Sequence, residues 1–334
     1  MENSVAETTL IPGRASIILV SYNSLSETTA PCLESVFAST DYPDYEVIVV
    51  DNNSSDGTPA YLRELAGREP RLKPILNREN RGFAGGNNDG LKLATGEFLV
   101  LLNNDTQVGR GWLTELLRPL REDPSVGLVG PVSNATGNEQ EVWVESAPPR
   151  EILGQGALWV GAGRSESVPM ERLCFFCVAT RRDVVERVGV LDEAYGLGFY
   201  EDDDYCLRVR RAGFSLLLNE NVFIYHRGSG SFSAMPDTTK KLLKANRKLL
   251  ERKFGIRRYR TTHPRDRHLE LIAQALQRLA AGGDQTTLYR VENRLKKAEL
   301  LRPRGVLKRL RFDYQLKSLK RKLAGCRVDL TEGV

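Results

Sequence analysis

Long apolar runs are missing from this 334-residue chain: none approaches the ~20 residues that a membrane-spanning helix needs, which excludes an integral membrane protein. The first twenty residues carry acidic groups where a signal peptide carries basic ones, so we expect an intracellular protein. Cysteines number only 5, an odd and scattered set that describes no disulfide framework. Aromatic residues are few, at 7%, but 41% hydrophobic residues suffice for one large or two modest domains.

Positive charge is scarce in the first part of the chain and concentrated in the last part. Residues 240–327 contain 27 Lys and Arg against 7 Asp and Glu, whereas residues 1–239 contain 21 against 34, so the net charge of +5 hides a strong asymmetry. Such an asymmetry indicates two regions with different electrostatic roles. We therefore expect an α/β domain over residues 1–239 and a basic helical region over residues 240–334.

Short apolar runs alternate with helix-like stretches in the first region, which is the βαβ pattern of a parallel sheet. The runs are rich in β-branched residues and leucine, so we expect strands that helices cover on both faces. The predicted strands are SIILVSYN (16–23), EVIVVDNNS (46–54), EFLVLLNNDT (97–106), RLCFFCVATRR (172–182) and VFIYH (222–226). A helix is predicted over 107–123, and only helices are predicted after Lys240.

Polar residues follow three of these strands at the point where each one ends. They are Ser21, Tyr22 and Asn23, then Asp51, then Asn103, Asn104 and Asp105. In open α/β sheets the ligand crevice lies beyond the carboxyl ends of the strands, so Asp51 is placed to bind a nucleotide base or ribose. Asp105 is placed to hold Mg²⁺ or Mn²⁺, cations that prefer oxygen ligands. The competing interpretation is that these residues only cap helices and form Asx turns.

The segment NRGFAGGNNDG (80–90) joins glycines, which let a backbone approach a ligand closely, to Asn side chains that both donate and accept hydrogen bonds. Asn80, Gly82 and Asn88 are the candidates for ligand contact. A flexible loop with a helix-capping Asn is the alternative.

Four consecutive acids, Glu201 to Asp204, precede a helical stretch that contains Arg208. Like charges this close repel, and four exceed what capping a helix requires. The pattern predicts a general base near an attacking hydroxyl, and a salt bridge from Asp204 to Arg208 four residues on. A purely structural role for the acids remains the alternative.

Histidines and paired cysteines carry weaker signals. His226 ends a short strand and is either structural or a ligand, depending on its surroundings. His263 and His268 lie in the basic region, where we expect them to face solvent. Cys174 and Cys177 have CxxC spacing, but within a strand such residues point to opposite faces, which argues against zinc or redox chemistry.

Together, in this order, these motifs resemble family 2 glycosyltransferases of the GT-A fold, particularly the rhamnosyltransferase-like branch, over roughly residues 14–255. The resemblance implies a Rossmann-like, mostly parallel sheet flanked by helices. It implies that Ser21, Tyr22, Asn23, Asp51, Asn80, Gly82, Asn88, Asn103 and Asn104 bind a nucleotide-sugar donor. LLNNDT resembles a weakened metal-binding DxD motif ending in Asp105, and YHRGSGSF resembles the segment whose His226 joins the metal. FYEDDDYCLRVRRAG resembles the acidic signature, which makes Asp202 the base and Glu201 its neighbour.

Two departures from the family pattern affect these expectations. Asn103 stands where an Asp is usual, which shifts metal binding towards the donor diphosphate and His226. The acidic run is longer than a minimal motif, so Asp203 and Asp204 compete with Asp202 for the base role.

The resemblance implies an inverting transfer, dependent on Mg²⁺ or Mn²⁺, of a sugar from a UDP- or dTDP-linked donor such as dTDP-rhamnose. The acceptor would be a hydroxyl of a glycan, a lipid-linked glycan or a glycoprotein in cell-surface polysaccharide or glycoconjugate synthesis. A catalytically silent nucleotide-sugar-binding scaffold, acting through its basic tail, is the alternative. A nucleotidyltransferase would show a basic Gly-rich loop after the first strand, and a dehydrogenase would show GxGxxG there; neither is present.

The basic tail offers three interpretations. Its apolar spacing among lysines and arginines fits an amphipathic helix that brings residues 257–334 to an anionic membrane, which would make a cytoplasmic enzyme peripheral on the inner face. The spacing residues are Val306, Leu307, Leu310, Phe312, Leu316, Leu319 and Leu323. A helix packed on the catalytic domain or on the second subunit of a homodimer fits equally well. Nucleic-acid binding is disfavoured because no binding motif accompanies the charge.

Overall fold

The computed structural model describes residues 10–161, 167–228, 236–282 and 284–331. Strands are β1 Ile11–Ser21, β2 Tyr45–Asp51, β3 Leu72–Leu76, β4 Gly96–Asn103, β5 Thr106–Val108, β6 Val126–Ser133, β7 Ser167–Met170, β8 Cys177–Arg181 and β9 Ser215–His226. Helices are α1 Ala30–Ser39, α2 Thr58–Arg68, α3 Gly82–Leu93, α4 Trp112–Glu122, α5 Pro149–Val160, α6 Arg182–Val188, α7 Glu201–Arg211, α8 Pro236–Phe254, α9 Pro264–Ala280, α10 Gln285–Leu300 and α11 Val306–Thr331.

The strands form one sheet in the order β3-β2-β1-β4-β8-β6-β9-β5, with β7 paired to β9. Pairing is parallel from β3 to β4 and between β6 and β9, whereas β8 runs antiparallel to both β4 and β6. The predicted α/β fold with a Rossmann-like half is therefore confirmed, although its second half is more mixed than a mostly parallel sheet. The parallel half is the part built from the βαβ units visible in the sequence.

Both faces of the central strands are covered, as the continuous apolar runs predict. Ile17 and Leu19 of β1 belong to the core under α1 and α4, while Ile18, which points the opposite way, belongs to the core under α3. All three side chains are fully buried. Burial on both faces leaves the ends of the strands as the accessible part of the sheet.

The stretch 107–123, predicted as one helix, instead contains the end of a strand and then a helix. Thr106–Val108 pairs antiparallel with Ile224–His226, and α4 begins only at Trp112 after the left-handed Gly111. The prediction was wrong at its start because pairing with a strand more than a hundred residues away outweighs the local helical pattern.

The helices after residue 235 divide into two groups. α8 spans the predicted boundary between residues 239 and 240. It packs through Leu250 and Phe254 on Tyr195, shortly before the acids Glu201 to Asp204, which we call the acidic motif. α9, α10 and α11 share a core of their own. No helix within the described ranges is long and apolar enough to cross a membrane.

Buried cations attach this helical group to the sheet. Arg294 of α10 bonds to Glu220 of β9, with its Nε 3.1 Å from Oε1, and both side chains are buried. Arg290 of α10 donates to the carbonyls of Trp159 and Glu220. His268 was expected to face solvent, but it is fully buried and accepts from Arg294 at 3.2 Å. Burial, with the Arg294 charge, lowers its pKa well below the usual value, so this histidine is neutral.

Candidate active site

Three of the predicted polar strand ends meet at one edge of the sheet. Ser21 is paired with Asp51 across the parallel strands β1 and β2, and Val20 is paired with Asn103 across β1 and β4. This register brings the polar residues after β1, β2 and β4 side by side. The edge that they form is the crevice expected for a ligand in a parallel sheet.

Asp51 is the buried acid of this edge, with 1% of its surface exposed. Its Oδ2 accepts from the backbone N–H of Ser54 at 3.1 Å, whereas its Oδ1 has no partner among the described residues. A buried carboxylate oxygen without a hydrogen bond costs free energy unless a ligand supplies the donor. Tyr22, which follows the paired Ser21, is exposed beside this edge.

Asn23 joins the loops that follow β1 and β2. Its N–H donates to Ser54 Oγ at 2.8 Å, and its Oδ1 accepts from the N–H of Ser55 at 2.8 Å. The backbone of Asn23 is left-handed, with φ 57°, a conformation that Asn tolerates better than most residues. Its side chain therefore fixes the rim of the crevice.

Ser21 and Asn104 are both bonded to the turn before α1. The hydroxyls of Ser21 and Thr29 lie 2.8 Å apart, and Asn104 Nδ2 donates to Thr29 Oγ1 at 2.9 Å. The two predicted donor-binding residues thus tie the ends of β1 and β4 together.

The glycine-rich segment contacts the loop before the acidic motif. Gly82 has φ 69°, and a Cβ there would lie 2.2 Å from the carbonyl oxygen of Gly196. Asn80 Oδ1 accepts from the N–H of Gly82 at 2.9 Å, which forms an Asx turn where α3 begins. Asn88 donates to Leu191 O and Glu193 Oε1, both at 2.9 Å, so its donor groups are engaged within the protein. In this structure Asn88 positions the chain that leads to the acidic motif.

Strand pairing brings Asp105 and His226 together. Thr106 of β5 is paired with His226 of β9, and the backbone N–H of Arg227 donates to Asp105 O at 2.9 Å. His226 Nε2 lies 3.2 Å from Asp105 Oδ1, and both side chains are largely buried. Asn134 also bonds to the backbone N–H and C=O of His226, at 2.9 and 2.8 Å.

The chemistry of this pair fits a metal ion. His226 Nδ1 lies 2.5 Å from the carbonyl of Ala135, so Nδ1 carries a proton and Nε2 faces Asp105 with a lone pair when the ring is neutral. A cation between a lone pair and a carboxylate relieves their repulsion. Within the described residues, no three His, Cys, Asp or Glu side chains are grouped to hold a metal alone. An ion held by Asp105 and His226 would therefore keep open coordination positions for water or for a bound ligand.

The partners of the three aspartates in α7 differ sharply. Asp204 is fully buried and bonded to Tyr195 Oη at 3.0 Å, to Arg208 Nε at 2.6 Å and to Lys253 Nζ at 2.6 Å. The predicted salt bridge from Asp204 to Arg208 is confirmed.

The carboxylate of Asp203 also has side-chain partners, whereas the carboxylate of Asp202 has none in the part of the chain that the structure describes. Asp203 Oδ1 accepts from the Tyr259 hydroxyl at 2.9 Å and lies 3.7 Å from Arg172 Nη1. Asp202 is only partly buried, and the hydrogen bond it receives comes from the backbone N–H of Asp203 to its Oδ1, at 2.8 Å. Among the described residues, Asp202 is the one of the three aspartates whose carboxylate is bonded to no other side chain.

Comparison with known proteins assigns the family. The sequence profile of glycosyl transferase family 2 matches residues 16–189, the region that contains the crevice. This chain belongs to glycosyltransferase family 2. The profile does not distinguish a rhamnosyltransferase-like branch.

Relatives of this glycosyltransferase include an O-antigen biosynthesis protein and another glycosyltransferase. It is 29% identical over 224 residues to the O-antigen biosynthesis protein RfbC of Myxococcus xanthus, covering 64% of this chain and 17% of RfbC. It is 28% identical over 214 residues to glycosyltransferase AglE of Haloferax volcanii, covering 63% of this chain and 66% of AglE. The chain thus spans less than two thirds of either relative.

A solved structure shares the fold over nearly the whole chain. Mannosyltransferase PcManGT from Pyrobaculum calidifontis, in complex with GDP-Man and Mn²⁺, superposes with a TM-score of 0.54 at 22% identity, covering 97% of this chain and 89% of that one. This likeness confirms the predicted GT-A fold, including a helical region after the sheet.

The environment of the acidic motif in this glycosyltransferase disfavours ionisation. Burial, and then the Asp202 charge, raise the pKa of Glu201 well above its usual value. Burial, and then the Asp203 charge, likewise raise the pKa of Asp202, while Arg172 opposes the rise. Raised pKa values of acids at a crevice are typical of general acid–base groups.

Residues from the helical region support this motif, and the sequence analysis did not identify them. Phe199 and Tyr200 are consecutive non-glycine residues with φ 72° and 75°, a strained pair directly before Glu201. Asn246 of α8 donates to the carbonyls of Tyr195, Gly198 and Phe199 at 2.8 to 3.0 Å and so holds this segment. No local motif marks Asn246, Tyr259 or Arg172, since each acts across a long sequence separation.

Proposed function

We propose that this glycosyltransferase moves a sugar, with inversion and with a divalent metal, from a nucleotide-diphosphate donor to an acceptor hydroxyl. The observation that carries the proposal is the difference among the three aspartates. Asp203 and Asp204 are engaged by cations and hydroxyls, which leaves Asp202 with a carboxylate oxygen available to accept a proton. That arrangement supports Asp202 as the base and Glu201 as its neighbour.

The donor is proposed to lie along the crevice at the strand ends. Asp51 Oδ1 needs a hydrogen-bond donor, which an N–H of the base or a ribose hydroxyl would supply. Tyr22, Asn23, Asn80, Gly82 and Asn103 complete the proposed donor site. We propose UDP- or dTDP-sugars, among them dTDP-rhamnose, as donors; PcManGT, by comparison, was solved with GDP-Man.

Asp105 and His226 would hold Mg²⁺ or Mn²⁺ against the donor diphosphate. The bound ion would neutralise the negative charge that grows on the leaving diphosphate. Mn²⁺ in the PcManGT complex supports this proposal. Asn134 and the Ala135 carbonyl keep the His226 ring in place for that task.

Asp202 would take the acceptor's proton as that oxygen attacks the anomeric carbon. The bond from the anomeric carbon to the diphosphate oxygen breaks on the opposite face, so a single displacement inverts the configuration. Arg172 and Tyr259 hold Asp203 aside and keep it from competing for the proton.

The acceptor is proposed to be a glycan, a lipid-linked glycan or a glycoprotein in cell-surface polysaccharide or glycoconjugate synthesis. The name of RfbC, an O-antigen biosynthesis protein, supports this choice. We place the reaction in the cytoplasm or at the inner face of the cytoplasmic membrane.

A transfer assay tests the proposal. UDP-, dTDP- and GDP-sugars are incubated with the protein, Mn²⁺ and a panel of simple glycosides, and products are followed by chromatography and proton NMR. We expect one nucleotide class to react, only with metal present, and to give the inverted anomer. A retained anomer would exclude a single displacement. Turnover that persists in EDTA would exclude the metal.

A further inference from the structure

α11 is apolar on two opposite faces. At about 100° per residue, Phe312, Leu316, Leu319 and Leu323 fall within a narrow arc, and this stripe is buried in the core shared with α9 and α10. A second stripe lies on roughly the opposite side of the helix: Val306, Leu307, Leu310 and Tyr314. A helix that needed only to pack on its own domain would require one stripe.

The second stripe is strongly exposed. Its four side chains are between 62% and 83% exposed, and Leu300 at the end of α10 is exposed by 69%. Single exposed apolar residues are ordinary on a protein surface, but four large ones on one face of one helix form a patch. We call Val306, Leu307, Leu310 and Tyr314 the α11 patch.

Cations surround the α11 patch. Residues 301–322 contain nine Lys and Arg and one acid, Asp313, which is itself bonded by Arg302 with Nε 2.7 Å from Oδ1. Lys317 and Arg321, both exposed, continue the line of the apolar stripe towards the C-terminal end of the helix. The face therefore begins apolar and ends cationic.

We propose that the α11 patch inserts into the surface of an anionic membrane. Apolar side chains would enter the boundary between headgroups and acyl chains, and the surrounding Lys and Arg would bind anionic headgroups. This proposal concerns membrane binding and not the transfer reaction. The sequence alone indicated the whole region 257–334 as the membrane contact, whereas the structure limits the proposed contact to one face of α11. A second copy of the chain is a poorer occupant, because two such cationic faces would repel each other.

Charge elsewhere in the helical region has a different use. Arg290 and Arg294 are buried against the sheet, and Lys297 is bonded to Glu141, so these cations attach the helices to the catalytic domain. The exposed cations around the α11 patch take no part in that attachment. Docking and membrane binding thus use separate sets of residues.

The test is co-sedimentation of the full chain with lipid vesicles. Vesicles of phosphatidylcholine alone are compared with vesicles containing roughly 30% phosphatidylglycerol, at low and high salt. The test variant is the double substitution Leu307→Gln and Leu310→Gln. The matched control is Leu158→Gln, which changes a leucine of α5 that is 63% exposed but lies outside the patch. These side chains are exposed, so the variants should fold, and thermal unfolding checks that they do.

We expect wild type to bind the anionic vesicles, with binding weakened by salt. The partition coefficient of the double variant should be lower by roughly 100-fold, which is the scale for removing two leucine side chains from an apolar environment. The control Leu158→Gln should bind like wild type. Equal binding of wild type and the double variant to anionic vesicles would overturn the proposal. Wild-type protein that bound neither kind of vesicle, or bound both kinds equally, would also overturn it. Light scattering that shows a dimer broken by the double variant, without vesicle binding, would make the patch a subunit interface and also overturn it.

Discussion

Replacing Asp202 with Asn should remove turnover while leaving the fold intact. A general base contributes about 100- to 10,000-fold, or roughly 3 to 5.5 kcal/mol of transition-state stabilisation. The folded protein gains nothing from the Asp202 charge, because burial, and then Asp203, raise the pKa of this carboxyl to about 7. Because the pKa of Asp202 is higher in the folded protein than in the unfolded chain, ionisation of this carboxyl destabilises the fold as pH rises through the folded-state pKa. At pH 8 the free energy of unfolding should therefore stay the same or increase in Asp202→Asn.

Asp204→Asn should have the reverse effect. Its carboxylate is fully buried and paired with Arg208 and Lys253, each at 2.6 Å. Removing one member of a buried ion pair typically costs about 3 to 5 kcal/mol, because the cations lose their counter-charge. We expect a large loss of unfolding free energy, and turnover per folded molecule that falls less than in Asp202→Asn.

Three assays separate these outcomes. Initial rates at saturating donor measure the chemical step, urea unfolding measures stability, and donor binding by calorimetry should be normal in Asp202→Asn. Asp203→Asn serves as the matched control, since the amide oxygen can still accept from Tyr259. If Asp202→Asn retained rates within about fivefold of wild type, or if Asp203→Asn lost more, the assignment of the base would be wrong.

Three further predictions concern packing at Gly82, the attachment of the helical region to the sheet and the pH dependence of the rate. Gly82→Ala should cost more than about 2 kcal/mol of stability in thermal denaturation, because its φ is 69° and Gly196 O is 2.2 Å from the new Cβ. Gly67→Ala, in open space on α2, should gain about 0.5 to 1 kcal/mol. In urea, Arg294→Ala should cost about 3 to 5 kcal/mol, against less than about 1 kcal/mol for the exposed Lys320→Ala. In a pH–rate profile, kcat/KM should rise with pH through about 7, since the base must be ionised; a flat profile would contradict this.

Local pattern was enough to predict that polar residues meet at one edge of the sheet. Parallel strands that are apolar throughout must be covered on both faces, so their polar ends converge, as they do at Ser21, Asp51 and Asn103. The pairing of Asp105 with His226 was expected only from resemblance, because it depends on β5, a three-residue strand hidden in a helical pattern. Short strands that exist through long-range pairing leave almost no local signal.

The second half of the site could not have been predicted from the residues alone. Tyr259 binds Asp203, and Asn246 binds the segment just before the acidic motif, each from a position about 50 residues away, and no spacing rule connects them to it. The charge of the basic region also led to a wrong prediction, because it suggested that His268 is exposed. It gave no sign that Arg294 is buried. Composition reports how many charges a segment has, but packing decides which of them water can reach.

We propose that Asp105 and His226 hold a metal ion that in turn binds a nucleotide diphosphate at the strand ends. Isothermal titration of UDP, dTDP and GDP into wild type and Asp105→Asn, with and without Mn²⁺, tests it most directly. We predict that one nucleotide class binds wild type only with Mn²⁺, and that Asp105→Asn abolishes the metal-dependent part. Binding that is equally strong without Mn²⁺, or no binding of any nucleotide by folded wild type, would contradict the account.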